Sequence, residues 1–229
     1  MSSESHKEFP TGAPNCKMTE PFPFKGIYAI TPSFEEDNVD YLNKIEETVK
    51  AEVAALQIRE KRFLQTSNFM ILLKSIRDLC FDYKIKLVIN DNVGIAKQLN
   101  CGVHLGNNDL SLEKARREMG SKAIIGVSCY NSSLKALEFS ELGASYVAMG
   151  CFFQSTTKPN AIKCSLSELQ KLNGKLNIPI VAIGGITNTN AKTVFQHGAN
   201  LVAVSNYIYD SKSPYEKIKG LQSIEREAN

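Results

Sequence analysis

Val53-Ala54-Ala55-Leu56-Gln57-Ile58-Arg59-Glu60-Lys61 is an apolar run that breaks, at its end, into polar and charged side chains. The first part reads as a short buried strand. Period-two alternation sets Gln57, Arg59 and Lys61 on one side and Ile58 and Glu60 on the other. Groups able to hold an anion or a polar ring thus stand together on a strand exit. Downstream, an amphipathic run over 67–83 leads into another apolar run over 86–90. Two strands joined by a crossover helix lie parallel in one sheet.

The same alternation extends in both directions. Strands are expected over 26–31, 53–58, 86–90, 102–105, 123–128, 146–150, 179–184 and 201–205, and helices over 41–50, 67–83, 93–99, 111–119, 132–142, 165–172, 190–197 and 214–224. Ser111, with Lys114 three residues on, and Ser132 are placed as N-caps. Eight β/α units within roughly 200 residues predict an α/β fold, a closed (β/α)8 (TIM) barrel. A doubly wound open sheet is the alternative. It would bring a Gly-rich turn after the first strand, and here Thr31 runs into Pro32-Ser33-Phe34-Glu35. The barrel is expected over 24–229, after a tail over 1–23 that is disordered or loosely docked.

Composition narrows the function classes. A net charge of +3 over 229 residues, without a Lys/Arg stripe, argues against nucleic acid as a partner. No run approaches the ~18 apolar residues of a membrane span. The six cysteines show no paired or metal-ligand spacing, which reads as reduced, mostly buried thiols of a cytoplasmic protein. The sequence shows no oligomeric state; a homodimer is compatible with it.

In a (β/α)8 barrel all strand ends emerge on the face that carries the active site. Strand two ends in Gln57, Arg59 and Lys61, strand three in Asn90 and Asp91, and strand four leads to Asp109. Strand five ends in Ser128, strand six leads to Ser155, Thr156, Thr157 and Lys158, strand seven to Gly184 and Gly185, and strand eight to Ser205. Carboxylates at Asp91 and Asp109, on neighbouring strand ends, repel unless a cation lies between them, and oxygen-only ligands suit Mg2+. The competing reading for Asp91 is a helix N-cap before Val93. Arg59, Lys61 and Lys158 complete a cage for a diphosphate. The hydroxyl loop with Gly185 and Ser205 forms a second anion site. His104 reads first as a hydrogen-bonded core residue, and no Ser–His–Asp or Cys–His set points to a covalent nucleophile.

The segments QIREK (57–61), VINDN (88–92), GVHLGNND (102–109), IIGVSCYN (124–131), GASYVAMGCFFQSTTKPNA (143–161), IPIVAIGGI (178–186) and GANLVAVS (198–205) together resemble the thiamine phosphate synthase family, in its order. That resemblance implies small-molecule substrates, 4-amino-5-hydroxymethyl-2-methylpyrimidine diphosphate and 4-methyl-5-(2-hydroxyethyl)thiazole phosphate. Carried over by motif, Gln57, Ile58, Arg59, Glu60, Lys61, Asn90, Ser128 and Lys158 belong to the pyrimidine diphosphate site. Among them Arg59, Lys61, Lys158 and Ser128 act in catalysis. Asp91 and Asp109 hold Mg2+. Ser155, Thr156, Thr157, Gly185 and the Val204–Ser205 backbone take the thiazole phosphate. Asn107, Ser155 and Gln154 stand where Gln, Thr and Pro are usual, and none of these departures removes a charge or a hydroxyl. A thiazole tautomerase on the same barrel, or a non-catalytic phosphate sensor, would have no use for the full cation and carboxylate set.

Overall fold

The computed structural model describes residues 21–34, 39–62, 66–154 and 162–228. Its strands are β1 (Gly26–Ile30), β2 (Ala55–Ile58), β3 (Lys86–Asn90), β4 (Gly102–Leu105), β5 (Ile125–Tyr130), β6 (Tyr146–Gly150), β7 (Ile180–Ile183) and β8 (Leu201–Val204). They pair in chain order, all parallel, and β8 returns to β1 to close a single-domain (β/α)8 barrel. The helices are α1 (Val39–Lys50), α2 (Ser67–Asp82), α3 (Val93–Leu99), α4 (Leu112–Met119), α5 (Ser133–Glu141), α6 (Leu166–Gln170), α7 (Ala191–Gln196), α8 (Asn206–Tyr209) and α9 (Pro214–Ala228). The one-turn α8 has no periodicity to be read from sequence. Residues 1–20 of the expected tail lie outside the described residues.

The strands are buried on both faces, and the two faces do different work. Leu56 and Ile58, Leu87 and Ile89, and Val103 and Leu105 point outward into the main core beneath the helices. Each such fully buried side chain contributes about 1.5–3 kcal/mol relative to exposure. Tyr28, Ala55, Val88, Ile124, Tyr146, Val181 and Leu201 form a second cluster inside the barrel. A one-residue slip of β2 would exchange Gln57 with Ile58, so the outward layer fixes which side chains face inward.

The interior cluster has a large–small pairing at its centre. Gly126 lies opposite Tyr146 in the β5–β6 register. A Cβ on Gly126 would fall 1.9 Å from Tyr146 Cζ, so the aromatic ring occupies the space that a side chain there would fill. Phe22, just upstream of β1, is buried and stacks on Tyr146 with ring centroids 4.1 Å apart. It closes the N-terminal end of the barrel.

Local signals set the helix starts. Ser111 accepts from Lys114 N–H and Ser132 from Lys135 N–H, as their positions imply. Thr66 accepts likewise from Phe69 N–H. Before α3 the cap is Asn92, which accepts from Ile95 N–H at 2.9 Å. The capping alternative for Asp91 is therefore corrected: its neighbour fills that role, and Asp91 sits in the left-handed region at φ 63°. β5 runs to Tyr130 through an irregularity between Ser128 and Tyr130, two residues beyond the expected end.

Candidate active site

The strand exits enclose a cleft of ≈ 370 Å³ lined by Glu60, Lys61, Asn90, Asp91, Asn92, Val93 and Leu110. Its polar wall comes from the ends of β2 and β3 and its apolar edge from Val93 and Leu110. It lies where the closed parallel barrel directs its C-terminal strand ends.

The segment at the end of β2 separates into distinct roles. Gln57 is buried inside the barrel, and its Nε2 donates to the Tyr28 hydroxyl at 2.9 Å. Ile58 packs in the outer core and faces away from the cleft. Arg59 N–H donates to Thr31 Oγ1 at 3.1 Å, which ties the β2 exit to that of β1. Glu60 is only 1% exposed, and its carboxylate accepts from the backbone N–H groups of Phe34, Lys61 and Arg62 at 2.6, 2.8 and 2.6 Å. A carboxylate so engaged organises the loop that presents Lys61. Lys61 itself extends into solvent, with its Nζ 3.9 Å from Asp91 Oδ2.

At the ends of β3 and β4 the two carboxylates meet. Asp91 is in side-chain hydrogen-bond contact with Asp109. Burial, then that contact and the Asp109 charge, push the Asp91 carboxyl up to about 6, against the lowering effect of Lys61 and Asn90. Asp109 Oδ2 also accepts from Gly106 N–H at 2.6 Å, which closes the loop after β4 on itself. Tyr130, at φ 54° and at the end of β5, reaches over that loop and accepts from Asn107 N–H at 3.1 Å. Asp91 and Tyr130 both occupy a backbone region that non-glycine residues seldom adopt, one in contact with Asp109 and the other with the loop that Asp109 closes.

Two carboxylates in mutual contact fit a divalent cation, because a metal ion supplies the positive charge that a shared proton otherwise provides. The set is oxygen only, with Asn90 beside it, which suits a hard cation such as Mg2+. Among the described residues no group of three His, Cys, Asp or Glu side chains assembles for a metal. Mg2+ commonly takes one or two carboxylates and completes its shell with waters and phosphate oxygens, so two carboxylates suffice.

Ser128 and His104 come together on neighbouring strands, with Ser128 Oγ 2.9 Å from His104 Nε2. The far side of the mouth is built from the exits of β6, β7 and β8. Phe153 N–H donates to Gly184 O at 3.0 Å, and Gly185 packs so closely that a Cβ would fall 2.3 Å from Gln154 O. With φ 61° as well, that position favours glycine. Val204 directs its side chain into the outer core, and Ser205 follows it at the start of α8. Ser155, Thr156, Thr157 and Lys158 lie outside the described residues.

Sequence reasoning gives Tyr28 and Tyr146 no role at the site and reads Tyr130, beside Ser128, as either pocket lining or packing. Tyr28 and Tyr146 stand below Gln57 and His104 inside the barrel, and Tyr130 holds the Asp109 loop. A glycine facing a tyrosine at inward strand parity was the available signal for Tyr146. Tyr130 depends on a strand irregularity that no local pattern announces. Among the described residues no helix is long and apolar enough to cross a membrane.

The sequence profile of thiamine monophosphate synthase matches residues 27–208. A thiamine-phosphate synthase of Methylococcus capsulatus is 40% identical over 208 residues, covering 90% of this chain and 92% of the relative. One of Methylobacillus flagellatus is 44% identical over 186 residues, covering 80% and 86%. The structure of a thiamine phosphate pyrophosphorylase from Pyrococcus furiosus superposes with a TM-score of 0.78 at 28% identity, over 90% of this chain and 97% of that one. A 3-hexulose-6-phosphate synthase superposes at 0.62 with 16% identity, over 86% and 99%, and shares the fold alone. With the profile and these relatives spanning most of its length, the chain belongs to the thiamine monophosphate synthase family, a family of transferases.

Proposed function

We propose that this chain is a thiamine phosphate synthase. It joins 4-amino-5-hydroxymethyl-2-methylpyrimidine diphosphate to 4-methyl-5-(2-hydroxyethyl)thiazole phosphate and releases pyrophosphate. The observation that carries this reading is the Asp91–Asp109 pair beside Lys61 in the cleft. A carboxylate pair next to an exposed ammonium suits a metal-bound diphosphate. A thiazole monophosphate alone would need neither carboxylate.

The chemistry asks for no nucleophile from the protein. The bond between the pyrimidine methylene carbon and the diphosphate oxygen breaks, and its electron pair leaves on the diphosphate. The thiazole nitrogen lone pair then forms the new carbon–nitrogen bond. Lys61 and Arg59, with Lys158, which follows β6 in sequence, neutralise charge that grows on the departing oxygens. Asp91 and Asp109 would hold Mg2+, which when bound supplies electrostatic stabilisation of the diphosphate. Gln57, Asn90 and Ser128 hold the pyrimidine ring end, and fixed orientation of the two rings supplies much of the rate. Ser155, Thr156, Thr157, Gly185 and the Val204–Ser205 backbone receive the thiazole phosphate. The adjacency of the β7 and β8 exits supports that assignment. Glu60 acts through the loop it organises, and Ile58 through packing.

The test is direct. Purified protein given both substrates is expected to form thiamine phosphate and pyrophosphate with Mg2+ present and not with a chelator. Tautomerisation of a thiazole phosphate without any coupling would overturn the assignment.

A further inference from the structure

A row of hydrogen bonds crosses the barrel interior below the cleft. Gln57 Nε2 lies 2.9 Å from the Tyr28 hydroxyl, that hydroxyl 2.8 Å from the Tyr146 hydroxyl, and the latter 3.1 Å from His104 Nδ1. His104 Nε2 completes the row at 2.9 Å from Ser128 Oγ. It begins and ends on residues of the pyrimidine site, while its three middle members have no role in the chemistry above.

The row has a direction. The Gln57 amide nitrogen can only donate, so Tyr28 oxygen accepts. Both tyrosines are fully buried, and burial keeps their phenols neutral, so each O–H must find an acceptor. With its oxygen engaged by Gln57, Tyr28 satisfies its own hydrogen by donating to Tyr146. Tyr146 then satisfies its hydrogen by donating to His104 Nδ1. The opposite arrangement, with Nδ1–H donating, would leave a buried Tyr146 O–H without an acceptor. Nε2 therefore carries the imidazole hydrogen and donates to Ser128, whose own hydrogen has no acceptor among the described residues.

We propose that His104 is a positioning residue, fixed by Tyr146 and Tyr28 as the Nε2–H tautomer so that the Ser128 hydroxyl is turned to donate to an acceptor on the pyrimidine substrate. The proposal rests on the synthase reading for its substrate, and on geometry alone for its tautomer. Gln57 is oriented by the same row, which leaves its Oε1 to accept from the ring.

Nitrogen-15 NMR of histidine-labelled protein reads the tautomer without turnover. Wild type is expected to show His104 protonated at Nε2 and bare at Nδ1. Tyr146→Phe, which keeps the ring and its stacking, is expected to relax it to a mixture. The same variant should raise KM for the pyrimidine diphosphate about tenfold, as befits one misdirected hydrogen bond, and leave KM for the thiazole phosphate unchanged. His104→Gln, whose amide can still donate to Ser128, should retain more pyrimidine affinity than His104→Leu at matched melting temperature. An Nδ1–H imidazole in wild type, an unmoved tautomer in Tyr146→Phe, or wild-type KM in His104→Leu would overturn the proposal. Wild-type protein that couples nothing would sink the synthase reading alone, and the imidazole spectrum would still decide the tautomer.

Discussion

Lys61 Nζ lies 3.9 Å from Asp91 Oδ2, across the exits of two neighbouring strands. The Asp91 carboxyl is thereby pulled in opposite directions. Burial and Asp109 raise its pKa, Lys61 and Asn90 lower it, and the balance stands at about 6. A site meant only to hold an anion would gain nothing from such a carboxylate.

If Asp91 and Asp109 hold Mg2+ as proposed, the ion competes with a proton on Asp91 as the pH falls through about 6. Its apparent affinity should fall about tenfold per pH unit below about 6 and flatten above that value. The sign follows from a folded pKa above the ordinary 3.8. Between those values the folded state binds more protons than the unfolded chain, so this group costs the metal-free protein stability as pH rises, and Mg2+ restores it. Calorimetric titration between pH 5 and pH 8 measures the effect. An affinity independent of pH across that range would contradict it.

Lys61→Ala removes the charge that holds Asp91 down and, on the proposed assignment, a contact to the diphosphate. KM for the pyrimidine diphosphate should rise about 10–100-fold, the range of one charge-assisted hydrogen bond, with KM for the thiazole phosphate unchanged. The pH onset of Mg2+ binding should move upward in the same variant. Steady-state kinetics and the titration described above check the two effects separately.

Glu60→Gln tests whether that side chain serves the loop or the substrate. The amide has one acceptor oxygen where three backbone N–H groups now point at a carboxylate. A loss of about 2–3 kcal/mol in chemical denaturation is expected. A variant of unaltered stability that no longer binds the diphosphate would return Glu60 to direct substrate contact.

Gly126→Ala drives a methyl group into the Tyr146 ring, and the neighbouring strands are too tightly paired to part. Overpacking of this kind costs about 1–3 kcal/mol, and a contact as short as this one belongs at the upper end. Combining it with Tyr146→Ala should recover part of the loss, since the added methyl then meets a cavity. Thermal denaturation of the single and double variants gives the coupling.

The barrel was legible because period-two and longer periodicities alternate cleanly along the chain. The inward or outward sense of Gln57 and Ile58 follows from the same rule, and the structure agrees. Glu60 shows where such reading stops. Its carboxylate stands on a strand exit like a ligand, yet one of the three amides that claim it comes from Phe34, on the loop after β1. Asp91 and Asn92 are both good capping types, so only backbone geometry could tell which one caps α3 and which turns to the cleft. The hydrogen-bonding roles of Tyr28 and Tyr146 are not legible, because an aromatic in a strand reads as packing and their hydroxyls act on residues far away in sequence.

Phe22 gives the barrel a stopper that comes from outside its strands. Burial of a Phe side chain is worth about 1.5–3 kcal/mol, but its second effect is on water. With the ring in place, Tyr28 and Tyr146 lie under an aromatic cover at the end of the barrel away from the cleft. Removing the chain through residue 22 would uncover those buried hydroxyls from below while leaving every strand-end residue untouched.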